Sequence, residues 1–255
     1  QGQREKEKTK TSLVGLKVEL ADKKSVVDQN KQAKANLLVQ TKNKEAEYQK
    51  LLTLNREREK QFENDLFEAE SQLKIAFDPK SVPSARLGVL SWQLDNVIIN
   101  QRFGKTVGGR RLYTQGFHNG VDFRATMGTP IKAVLSGVIL GIGNTDEQKS
   151  CYSYGRWVLI KHDNGLTSIY AHLSATKVIK GQNVNTGDVI GLSGGIPGYF
   201  GSGYSTGQHL HLGLFASGGV EIRQFTTSKF CKQVMVPIAD ISAYLDPLAY
   251  LPPTN

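Results

Sequence analysis

Cysteine is scarce in this 255-residue chain, and the two present, Cys151 and Cys231, are not in a C-x-x-C arrangement. That spacing excludes a structural zinc ribbon or a thioredoxin-like redox pair, and leaves open a single disulfide or two buried thiols. No apolar run approaches the ~18 residues that a membrane-spanning helix needs. There is no concentrated Lys/Arg block and no basic stripe interleaved with aromatics, which argues against sequence-specific nucleic-acid reading and single-strand binding. The first part of the chain also has little glycine and no proline. Of 26 glycines only Gly2 and Gly15 precede Asp78, and the first proline is Pro79. The physical character of the chain therefore changes near residue 78, and two parts are expected.

The formal charge is +9. The first 77 residues hold 16 Lys+Arg and 13 Asp+Glu and contribute +3, which leaves +6 for the rest. Both parts are mildly basic, as suits an anionic cell wall or membrane surface, or plain solubility. The chain begins with Gln, which fits the loss of a signal peptide or membrane anchor.

In the first part, apolar residues from Leu13, Leu16, Leu20 and Val27 to Leu66, Ala69 and Leu73 recur at spacings dominated by 3, 4, 7 and 11. A narrow apolar stripe with stutters predicts an α-helical coiled coil over 1–77, against the alternative of a charged solvated helix without a specific partner. Pro79 and Pro83 mark a linker over 78–88, because proline removes a backbone donor and ends a helix. Beyond it, β-branched and aromatic segments succeed one another without helical pattern. Strands are expected near Val97–Asn100, Val121–Arg124, Ile131–Leu135, Gly137–Ile142, Trp157–Lys161, Leu166–Tyr170, Val189–Leu192 and Leu210–Phe215. Asp163-Asn164-Gly165 reads as a hairpin turn. The fold class predicted is α+β multidomain, an N-terminal helical coiled coil followed by a mostly antiparallel β-sheet domain.

All five histidines lie in the second part. In Gln208-His209-Leu210-His211-Leu212 the strand period of two puts both imidazoles on one face and the leucines on the other. Alone, that pattern equally describes a half-buried strand with satisfied polar groups. His118-Asn119-Gly120-Val121-Asp122 adds an imidazole and a carboxylate beside a turn. Two neutral nitrogens and one anionic oxygen form a ligand set that leaves a fourth position of a zinc ion open to water, where the metal acts as a Lewis acid. Tyr170-Ala171-His172-Leu173, at a strand end, can deliver a further imidazole for acid-base chemistry. His162, beside the hairpin turn, reads as a structural or surface residue.

Taken in order, His118-x-x-x-Asp122, Tyr170-Ala171-His172-Leu173 and His209-Leu210-His211 resemble the three signatures of LytM/lysostaphin-type zinc metallopeptidases. The likeness extends to Arg102-Phe103-Gly104, Gly120-Val121-Asp122-Phe123, Gly128-Thr129-Pro130-Ile131, Ser205-Thr206-Gly207-Gln208 and Asp246-Pro247-Leu248. It implies a LytM-like peptidase domain over 89–255 that holds one zinc ion per chain through His118, Asp122 and His211. His172 and His209 then flank the attacking water and the developing oxyanion. The activity implied is endopeptidase cleavage of peptidoglycan cross-links in an extracytoplasmic location, with a membrane anchor in a segment outside this sequence as an option and a membrane or division-complex protein as a candidate partner for the coiled coil. A competing reading is a non-catalytic regulator that activates cell-wall amidases, but such family members lose zinc ligands and this chain keeps all of them. A third is a coiled coil that blocks the groove until displaced.

The segments Asn144–Tyr154 and Phe225–Val236, each with one cysteine, look longer than a minimal family member needs, and pairing of the cysteines would pin two groove loops. The glycine-rich stretch Gly194–Gly207 offers Tyr199 and Tyr204 as oxyanion donors or as loop anchors.

Overall fold

The computed structural model describes residues 82–254 other than 106–116, 150, 152, 227 and 229, together with isolated positions 24, 28, 29, 31, 49, 53 and 57. Fifteen strands occur among the described residues. They are β1 (Ile99–Gln101), β2 (Gly104–Lys105), β3 (Phe117–His118), β4 (Val121–Arg124), β5 (Pro130–Lys132), β6 (Gly137–Asn144), β7 (Arg156–His162) and β8 (Leu166–Ala171). There follow β9 (Leu173–Thr176), β10 (Asn183–Val184), β11 (Val189–Ser193), β12 (His209–Ala216), β13 (Val220–Gln224), β14 (Met235–Ala239) and β15 (Tyr244–Leu245).

The main sheet has the order β1-β4-β12-β8-β7-β6-β10, with β15 also paired to β12. A second sheet runs β5-β11-β9, and β13-β14 and β2-β3 form two-stranded ribbons. The strand pairs are antiparallel, as the absence of intervening helices predicts. Asp163-Asn164-Gly165 closes the β7–β8 hairpin, and Gly165 takes the positive φ (+82°) that such a tight turn asks of glycine.

The expected fold class needs correction. No helix of seven or more residues occurs among the described residues: the seven isolated positions before residue 82 are α-helical, the helical turns from Thr145 onward are 3₁₀ turns of three residues, and the architecture from residue 82 is mostly antiparallel β. The coiled coil predicted over 1–77 lies outside the described residues except at seven positions. Lys24, Asp28, Gln29, Lys31, Gln49, Thr53 and Glu57 are polar and exposed, so none belongs to the apolar stripe, and no coiled-coil seam is supported. The spacing argument overreached because an apolar repeat in a Lys/Glu-rich sequence names no surface for the stripe to pack on.

One core lies between the main sheet and the β5-β11-β9 sheet. Val121, Phe123, Ile131, Val158, Ile160, Tyr170, Leu173, Ile190, Leu210, Leu212 and Leu214 are all buried there. The inward residues of β12 in this core are the leucines of the His-x-His segment, as its alternation predicts. Burying each such side chain stabilises the fold by roughly 1.5–3 kcal/mol. A second cluster, built around Trp157, Leu159, Ile169 and Phe215, packs against Val220 and Ala239 of the β13–β14 ribbon. A third holds the disulfide Cys151–Cys231 with Phe225, Val234, Val236 and Ile238. The Phe225–Val236 segment is thus the tip and return of a hairpin, tied covalently to the loop between β6 and β7.

Candidate metal centre

Three neighbouring strands bring their functional residues to one place. β12 lies between β4 and β8, with His211 opposite Asp122 on one side and Ala171 on the other. His209, two residues earlier, shares the face of His211. His172 follows Ala171 at the corner where the chain leaves the main sheet as β8 and enters the second sheet as β9. It is the one described non-glycine residue with a positive φ, +59°, a conformation costing of order 1–3 kcal/mol that tends to cluster at functional sites. His118 arrives from the β2–β3 ribbon, where it pairs with Gly104.

The donor atoms of His118, Asp122 and His211 form a tight triangle. His118 Nε2 is 3.2 Å from His211 Nδ1, His211 Nδ1 is 2.9 Å from Asp122 Oδ1, and His118 Nε2 is 3.3 Å from Asp122 Oδ1. Tetrahedral ligands at bond lengths of 2.0–2.1 Å stand about 3.3 Å apart, so the three donors fit one such ion and leave its fourth position to another ligand. All three residues are buried. Burial raises the Asp122 carboxyl, but the charge and hydrogen bond of His118, the hydrogen bond of His211 and the charge of His209 outweigh it, and the carboxyl sits well below its ordinary range. An anionic oxygen beside two imidazole nitrogens in a buried pocket is a cation site in its chemistry.

Backbone carbonyls set the tautomers. His118 Nδ1 lies 3.1 Å from Arg102 O, His172 Nδ1 2.7 Å from Ser202 O, and His209 Nδ1 2.7 Å from Gly207 O. A carbonyl only accepts, so each Nδ1 carries the proton and each Nε2 lone pair is left for the cluster. His211 is turned the other way, with Nδ1 toward Asp122 and a buried Nε2 that has no hydrogen-bond partner. Its ring is seated against Gly120, where a Cβ would stand 2.6 Å from both Cε1 and Nε2. The rings of His172 and His209 lie 4.7 Å apart, and His209 Nε2 is 3.8 Å from Asp122 Oδ2. Burial, then the charges of His209 and His211, hold the His172 imidazole well below its ordinary pKa despite Asp122 and the Ser202 carbonyl.

The structure therefore gathers all five candidate residues. His162 is apart from them and fully buried, with Nδ1 3.0 Å from Ser136 O and Nε2 2.9 Å from Ser168 Oγ. In the glycine-rich stretch Phe200 is exposed, and the Tyr204 N–H donates to Ser153 O. Tyr154 packs on the histidines, with its ring centroid 6.0 Å from that of His211 and its hydroxyl accepting from Asn119 Nδ2 at 3.1 Å. Sequence reasoning gave it no role. The only available signal was its place at the end of the Asn144–Tyr154 insertion.

The segment that holds these residues is similar in sequence to known proteins. The description of peptidase family M23 matches residues 116–222, a span that contains all five candidate residues. DD-carboxypeptidase/endopeptidase Mpg of Neisseria meningitidis is 42% identical over 100 residues, 39% of this chain and 20% of Mpg. Peptidoglycan DD-endopeptidase ShyA of Vibrio cholerae is 39% identical over 102 residues, 40% of this chain and 21% of ShyA. The chain thus matches about one fifth of the length of these relatives. The solved catalytic domain of the antimicrobial peptidase lysostaphin from Staphylococcus simulans is 29% identical, covering 60% of this chain and 91% of that one, with a TM-score of 0.42. By its sequence, this chain carries a peptidase family M23 domain.

Proposed function

We propose that this protein is a zinc-dependent endopeptidase that hydrolyses peptide cross-links of bacterial peptidoglycan outside the cytoplasm. The observation that carries the reading is the donor triangle with two further imidazoles beside it. His118 Nε2, Asp122 Oδ1 and His211 Nδ1 would hold the ion, and the peptidase domain is taken to run over 89–255. Zinc bound there would supply Lewis acidity, lowering the pKa of water to about 7 and polarising the scissile carbonyl.

The chain's own residues supply the proton traffic. With Nδ1–H fixed on Ser202 O and Gly207 O, His172 and His209 present Nε2 toward the substrate. One accepts the proton of the attacking water; the other stabilises the oxyanion or returns a proton to the leaving amine. The lowered pKa values keep Asp122 anionic, as a metal ligand must be, and His172 neutral, with its Nε2 lone pair free. The relatives named for peptidoglycan DD-endopeptidase and DD-carboxypeptidase/endopeptidase activity support peptidoglycan as the substrate. The disulfide supports an oxidising compartment, such as the periplasm or cell wall.

The test is digestion of purified peptidoglycan by the zinc-loaded protein, with release of cross-link fragments followed by mass spectrometry. Fragments from wild type and none from a chelated sample support the proposal; intact peptidoglycan in both contradicts it.

A further inference from the structure

The loop between β6 and β7 holds a half-buried carboxylate that the reading above leaves unused. Asp146 Oδ2 accepts from Gly201 N at 2.7 Å and from Gly203 N at 3.0 Å. Gly203 N belongs to the same peptide unit as the Ser202 carbonyl, and that carbonyl accepts from His172 Nδ1 at 2.7 Å. In a planar trans peptide the N–H and C=O point in opposite directions. The carboxylate and the imidazole therefore hold one rigid plane from its two sides. We propose that Asp146 is a positioning residue for His172, acting through the peptide unit between Ser202 and Gly203.

Two physical effects follow from that arrangement. Rotation of the plane away from the carboxylate takes the Ser202 carbonyl away from Nδ1, so fixing the N–H end fixes the imidazole's hydrogen bond and tautomer. An anion at the N–H end also polarises the amide and strengthens its carbonyl as an acceptor. The setting is specific to this task. Asn144 Oδ1 accepts from Asp146 N at 3.1 Å, which anchors the carboxylate's own backbone. The turn is locked by close backbone packing, since a Cβ on Gly203 would stand 2.0 Å from Ser153 O. The same loop also grips the backbone of His172, whose N–H donates to Tyr154 O at 2.8 Å. His172 needs such support, because its left-handed backbone is strained. Burial raises the Asp146 carboxyl above its ordinary range, against the Gly203 and Gly201 N–H groups and Arg156.

The kinetic consequence rests on the hydrolase reading; the orientation of His172 does not. The full-length, zinc-loaded protein is compared with Asp146→Ala and Asp146→Asn by zinc content, by kcat and KM on a cross-linked peptidoglycan peptide, and by long-range ¹H–¹⁵N imidazole spectra. Asp146→Ala is expected to keep about one zinc per chain and a KM within about 2-fold, to lower kcat about 10- to 100-fold, and to lose the single Nδ1–H tautomer of His172. Asp146→Asn, whose amide oxygen can still accept both N–H groups, is expected to restore most of kcat. Unchanged kcat and an unchanged tautomer in Asp146→Ala would overturn the proposal, as would a loss that Asp146→Asn leaves in place. Should Asp146→Ala fail to fold, Asp146→Glu keeps the charge but misplaces the oxygen; a kcat equal to that of Asp146→Asn overturns the proposal and a lower one supports it. If wild type cleaves nothing, the hydrolase reading fails, and the imidazole spectra still decide the positioning role.

Discussion

His211 and Asp122 face each other directly across the β4–β12 ladder, and their side chains meet at 2.9 Å. The pair depends on the missing side chain of Gly120, because a Cβ there would stand 2.6 Å from the His211 ring and from Leu212 O. Gly120→Ala is accordingly expected to displace the imidazole and weaken zinc binding about 10- to 100-fold. Competition with a metal-sensitive dye checks it, and unchanged affinity would mean that the ring is not held by this contact.

His172 and His209 stand beside the donor triangle rather than in it. Replacing either with alanine should leave about one zinc per chain and lower kcat about 10²- to 10⁴-fold. Loss of metal from either variant, measured by elemental analysis, would move that residue into the ligand set.

His162 gives a pH dependence of stability that is separate from the metal site. Burial lowers its pKa below 6.5, against the hydrogen bonds to the Ser136 and Leu135 carbonyls and the charge of Asp163. Its contribution is complete above the unfolded value of 6.5 and is lost as pH falls from there toward the folded value, because the unfolded chain takes up a proton that the folded one refuses. Urea unfolding at pH 7.5 and pH 5.5 should show wild type losing more stability than His162→Gln between the two. Equal losses would show that His162 titrates alike in both states.

The disulfide closes 80 residues of chain. Loop-closure entropy over that length is worth about 4 kcal/mol. The double variant Cys151→Ser, Cys231→Ser should lose roughly 2–5 kcal/mol of unfolding free energy in denaturant titration. A loss under about 1 kcal/mol would mean that Phe225, Val234, Val236 and Ile238 hold the two loops together without it.

The sequence made the β domain legible where one face is buried. Alternation along His209–Leu214 predicted both the buried leucines and the shared face of the histidines, and Asp163-Asn164-Gly165 predicted the hairpin. Strands β2, β3, β9, β10, β13, β14 and β15 escaped notice. They are short or lie among polar residues, and the β13–β14 ribbon is fixed by packing on Trp157 and by the disulfide, contacts distant in sequence. The five residues gathered at and beside the donor triangle stand in motifs visible in the sequence. Asp146, Ser202 and Tyr154 were not, because they act through backbone groups and ring packing, which leave no characteristic spacing. The predicted coiled coil is not supported, and the apolar positions on which its periodicity rested lie outside the described residues.

The most direct test of the central claim pairs zinc content by elemental analysis with peptidoglycan digestion by wild type and His211→Ala. The account predicts about one zinc per wild-type chain, release of cross-link fragments, and loss of both in the variant. A wild-type protein that holds zinc yet leaves peptidoglycan intact, or a His211→Ala variant that still cuts, would contradict it.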